Sequence, residues 1–144
     1  LTPNFEILTH TFTMFLGKTI RKLILTENAI NTIDQSTFEN STYEVLDLSF
    51  NDLTRLNFSP GKIQYLKITN NKIRTIGHEF FQFSQNALER LNLRSNRIAS
   101  LPECAFCAFS LLTSVQSSKN GGLIKIKKLI LNLKGKQKLK TKKS

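Results

Sequence analysis

Apolar residues recur in one pattern, aligned on asparagine, four times along the chain. The first register is Ile20-x-x-Leu23-x-Leu25-x-x-Asn28-x-Ile30-x-x-Ile33. The second is Tyr43-x-x-Leu46-x-Leu48-x-x-Asn51-x-Leu53-x-x-Leu56, and the third Ile63-x-x-Leu66-x-Ile68-x-x-Asn71-x-Ile73-x-x-Ile76. The fourth is Leu88-x-x-Leu91-x-Leu93-x-x-Asn96-x-Ile98-x-x-Leu101. Starts are 23, 20 and 25 residues apart, a period that belongs to stacked repeat architectures. The Leu-x-Leu centre predicts a short strand with side chains alternating in and out. Inward aliphatics stack on their counterparts in the next coil, so the strands line one face in parallel. Each Asn falls where the chain leaves its strand, and its amide can serve backbone groups that the bend leaves unpaired. Asn28, Asn51, Asn71 and Asn96 therefore form an expected structural ladder. A phenylalanine five residues past the last aliphatic, at Phe38, Phe81 and Phe106, is expected to fill the wider convex side. The second repeat lacks one, with Phe58 as its substitute.

These registers resemble the leucine-rich repeat family, and the closing Phe resembles its extracellular subtype of about 24 residues. Phrases such as Leu46-Asp47-Leu48-Ser49-Phe50-Asn51 are similar to those of invertebrate immune and receptor-type repeat proteins. The resemblance implies an α/β repeat solenoid: a horseshoe segment with a short-strand parallel sheet on its concave face and loops or short helical turns on its convex face. Residues 1–19 read as the remnant of a preceding repeat, in which Ile7 and Phe15 fit and His10 stands where an aliphatic is expected. Residues 20–118 hold the repeats, with starts near 20, 43, 63 and 88. A degenerate fifth copy starts near 112, keeping Asn120 but placing Ser117 and Gly122 at apolar positions. The four-cysteine carboxyl cap that the resemblance implies has no match.

The 144 residues carry a formal charge of +11, which by itself suggests a nucleic-acid partner. Its distribution removes that suggestion for the repeats. Residues 1–118 hold 11 basic and 10 acidic residues, whereas 119–144 hold 10 lysines and no acid. The Lys-rich tail reads as low complexity, with three accounts open. It is a solvated disordered segment, a weak anchor for membrane or nucleic acid, or the product of translation past a splice junction. The chain starts at Leu1 and has no basic-then-apolar signal segment, so its amino end reads as cut or processed.

Little in the sequence points to catalysis. There is no Gly-rich phosphate loop, HExxH or carboxylate pair, and His78-Glu79 has no nucleophile beside it. Neither an enzyme, a cofactor nor a small-molecule substrate is expected. Cys104-Ala-Phe-Cys107 is a lone CxxC bracketing a core position, better suited to buried thiols or a local disulfide than to zinc or redox chemistry. Function is expected on the concave face instead. There Phe50, Tyr65, Lys67, Arg90 and Arg94 combine the aromatic and cationic types enriched at protein-binding hot spots. Register sets Arg21 beside Glu44 and Asp47 beside Lys67. The expected partner is a protein ligand or another repeat protein. Membrane contact is expected only through a missing segment or weakly through the tail. Asn40-Ser41-Thr42 and Asn57-Phe58-Ser59 are glycosylation acceptor patterns at Asn40 and Asn57, and they favour an extracellular location. The competing functions are a structural or adhesive array and a cytosolic regulatory repeat protein.

Overall fold

The repeated Leu-x-Leu segments become five parallel strands. The computed structural model describes residues 7–8, 17–59, 62–82, 87–102, 105–106 and 108–120. Strands β1 (Ile7–Leu8), β2 (Thr19–Ile24), β3 (Thr32–Ile33), β4 (Thr42–Asp47) and β5 (Arg55–Leu56) alternate between two faces of the molecule. They continue through β6 (Lys62–Lys67), β7 (Thr75–Ile76), helix α1 (His78–Gln82), β8 (Arg90–Asn92) and β9 (Ser114–Gln116). One sheet has the order β2-β4-β6-β8-β9, all parallel. On the other side of each coil, β1 pairs with β3 and β5 with β7, again parallel. Consecutive parallel neighbours joined by about 20 residues of loop are the geometry of a leucine-rich repeat solenoid. Helix is confined to α1 among the described residues.

Register follows the apolar pattern. Leu23, Leu46, Leu66, Leu91 and Val115 stand side by side across the sheet. With Leu48, Ile68, Leu93 and the convex-side Ile30, Leu53, Ile73 and Ile98 they line one continuous core. The fifth coil, degenerate in sequence, completes the sheet: Leu112 and Val115 are buried, and Ser117 is buried where its neighbours carry Leu or Ile. At the opposite end Leu8, not His10, stands beside Ile33. The preceding coil is thus spaced by 25 residues rather than 23.

The convex side holds a run of aromatic rings. Phe38 meets Phe58 edge-on at 5.4 Å, Phe58 meets Phe80 at 6.1 Å, and Phe80 meets Phe109 at 6.0 Å. Phe58 does fill the place of the missing closing Phe. In the third coil, however, the ring between Phe58 and Phe109 belongs to Phe80, one residue before the position that register predicts. The intervening turn is helical, and α-helical geometry rotates each residue by roughly 100°, so the inward direction falls on Phe80. Phe109 was not anticipated; it joins Phe106, 6.0 Å away, to fill the fourth coil.

The asparagines tie coil to coil. Asn51, Asn71, Asn96 and Asn120 donate from Nδ2 to the carbonyls of Leu25, Leu48, Ile68 and Leu93 in the preceding coil, at 2.8–3.0 Å. Their Oδ1 atoms accept from the amides of Ile30, Leu53, Ile73 and Ile98, at 3.0–3.1 Å. The residue before each rung has a left-handed backbone: Glu27, Phe50, Asn70, Ser95 and Lys119 have φ between 55° and 59°. That turn keeps the backbone amides on the neighbouring coil. Phe50 donates to the Thr69 carbonyl at 2.9 Å, Asn70 to that of Arg94 at 3.1 Å, and Ser95 to that of Ser118 at 3.0 Å.

Candidate recognition face

The concave face consists of the outward positions of the five-stranded sheet. Because the strands are in register, outward side chains form rows across the coils. One row holds Lys22, Val45, Tyr65, Arg90 and Ser114. In it the Arg90 guanidinium carbon lies 4.4 Å from the centre of the Tyr65 ring, a cation–π contact. The next outward row holds Ile24, Asp47, Lys67, Asn92 and Gln116. There Lys67 Nζ donates to Asp47 Oδ2 at 2.8 Å.

Asp47 is outward by register yet buried, because Lys67 and the chain around Ser49 cover it. Burial alone would raise its pKa. Hydrogen bonds from Lys67 and from the Ser49 amide, at 3.0 Å to Oδ1, outweigh that and hold it below the usual carboxylate range. The same hydrogen bond raises Lys67 above the ordinary lysine value. Arg21 stands beside Glu44 in the sheet, but no ion pair joins them among the described contacts.

The five residues that sequence pattern grouped are therefore not one cluster. Tyr65 and Arg90 pair in mid-strand. Lys67 and Arg94 lie towards the strand ends, where they line a shallow depression of about 400 Å³. Phe50 sits at the left-handed corner of its coil with 55% of its surface exposed. It is five residues along the chain from Val45, which stands beside Tyr65, so roughly 16 Å of strand separates the two rings. Asn51, Asn71 and Asn96 are buried and occupied with backbone, and Asn28 is half-buried with its Nδ2 on the Thr26 carbonyl. Asn40 and Asn57 are exposed in loops.

Lys119, Ser118 and Asn92 also line the depression. Sequence reasoning passed over Lys119 because it opens the Lys-rich segment. The preserved Asn120 was the available signal that the fifth coil reaches that far. Cys104, Cys107 and residues 121–144 lie outside the described residues. Among those described, no group of three or more His, Cys, Asp or Glu is placed to hold a metal.

Comparison with known families agrees with this geometry. Residues 61–121 match the family model described as leucine rich repeat. The curated proteins give no significant match. The leucine-rich repeat is a general protein–protein interaction module, and its geometry, with strands, ladder and ring-filled convex side, extends from the matched residues back to Thr19. The described chain is a leucine-rich repeat solenoid.

Proposed function

We propose that the concave face and its rim recognise a protein ligand, and that the chain belongs to a secreted or membrane-anchored protein. The observation that carries the recognition reading is Phe50. Its large apolar ring is half-exposed on a backbone with φ of 57°, a conformation that costs a bulky L-residue roughly 1–2 kcal/mol. Asn70 at the same corner of the next coil shows that a small polar residue serves the fold there. A phenylalanine at that place is therefore explained by contact with a partner. The Tyr65–Arg90 pair adds a second aromatic and cationic anchor on the same sheet.

The test is partner capture with the full chain as bait, comparing parent, Phe50→Asn and a Tyr65→Ala/Arg90→Ala double variant. Both variants should fold and lose at least tenfold of the captured protein. Equal capture by folded variants overturns the reading. For location, Asn40 is exposed and followed by Ser41 and Thr42. Material from its native source should carry a glycosidase-sensitive mass, abolished by Asn40→Gln. Native material that carries no glycan counts against the extracellular part.

A further inference from the structure

We infer that the depression at the carboxyl ends of the third to fifth strands holds an acidic segment of the protein partner, an inference that rests on the concave-face reading above. Three cations line it, one from each of three successive coils: Lys67, Arg94 and Lys119. Thr69, Asn70 and Ser118 contribute hydroxyl and amide groups, and no carboxylate is among the lining residues. Nearby backbone acceptors are already engaged. The Thr69 carbonyl takes the Phe50 amide, that of Arg94 the Asn70 amide, and that of Ser118 the Ser95 amide. The wall thus offers donors and positive charge to an occupant. Lys67 is held in place by Asp47 at 2.8 Å, which uses one of its three N–H donors.

The layout favours a chain over a free anion. Neighbouring strands are about 4.8 Å apart, so the three cations are spread over roughly 10 Å or more of sheet. One phosphate or sulfate can meet one or two of them. An extended peptide with carboxylates on alternate residues, about 6.6 Å apart, can meet all three. The depression is also open along its length, which suits a segment lying across the coils.

The experiment is an NMR titration of the ¹⁵N-labelled full chain at low salt. The probes are a peptide with three glutamates alternating with glycine, its glutamine counterpart, and inorganic phosphate at equal charge. The glutamate peptide should shift the amides of Asn70, Ser95, Ser118 and Lys119 saturably, and the glutamine peptide should not. An exposed charge contact is worth up to about fivefold in affinity, so Arg94→Gln/Lys119→Gln should weaken binding about tenfold. Both side chains are exposed, so the variant should keep the parent's spectrum elsewhere. Lys134→Gln/Lys136→Gln/Lys138→Gln controls for the lysine-rich segment and should leave the groove shifts unchanged. The inference is overturned by shifts confined to residues 121–144, by a double variant within twofold of the parent, or by phosphate matching the peptide charge for charge. None of these outcomes touches Phe50 or Tyr65. Conversely, lost capture in neither Phe50→Asn nor the Tyr65 variant, with peptide binding intact, removes the wider reading and spares the groove.

Discussion

Asn51 shows most directly how one side chain holds two coils. Its Nδ2 reaches the carbonyls of Leu25 and Leu48, and its Oδ1 takes the amides of Asn28 and Ile30. Alanine there strands several buried backbone groups, each costing about 1–3 kcal/mol. Asn51→Ala should therefore destabilise the domain by about 3 kcal/mol or more in urea unfolding. Asn28→Ala, at a half-buried rung whose amide serves Thr26, should cost about 1 kcal/mol or less. Phe50 makes the opposite case. Asparagine tolerates the left-handed region, so Phe50→Asn should leave stability unchanged or raise it by up to about 1 kcal/mol. A loss of stability in thermal unfolding would mean the ring packs on the fold. The need for Asn at each rung was legible in sequence. That each amide reaches back to the preceding coil was not, because the distance depends on how the coils stack.

At the scale of strands and turns, the Asp47–Lys67 pair makes the sheet sensitive to pH in a defined direction. Asp47 has a lowered pKa in the fold, so its contribution is present above the unfolded carboxylate value near 4 and is lost as pH falls through the lower folded value. Lys67 is raised, so its share is present below the ordinary lysine value and fades as pH rises through the folded one. Asp47→Asn should flatten the acid limb of stability against pH, measured by denaturant midpoints below pH 5. The ring stack on the convex side supplies the larger energy. Phe58 is buried between Phe38 and Phe80, and Phe58→Ala should cost about 3–5 kcal/mol. Leu111 is 51% exposed, and Leu111→Ala should stay within about 0.5 kcal/mol. The stack also marks a limit of pattern reading. A fixed offset found Phe38 and Phe106, but local turn geometry chose Phe80 and added Phe109.

Across the whole molecule, each coil contacts its neighbours in sequence, so protection should be graded along the array. In native-state hydrogen exchange the amides of Leu48 and Ile68, bonded to the Lys67 and Asn92 carbonyls, should exchange slowest. Those of Thr113 and Ser114, both on the Glu89 carbonyl at the edge coil, should exchange faster. A flat profile would instead mean that the coils unfold as one unit. The charge also separates by region: the near-neutral repeats present a mixed face, while three cations gather at one end of it.

The sequence by itself determined the period, the inward rows and the Asn rungs, because burial and backbone satisfaction admit few residue types at those positions. Tertiary structure decided what lies side by side. Stacking in register paired Tyr65 with Arg90 and Asp47 with Lys67, set Phe50 apart at a corner, and brought Lys67, Arg94 and Lys119 together from three coils. Outward positions have no such restriction on residue type. Their neighbours follow from coil length and turn geometry, which unequal repeats of 20 to 25 residues do not encode in any single window of sequence.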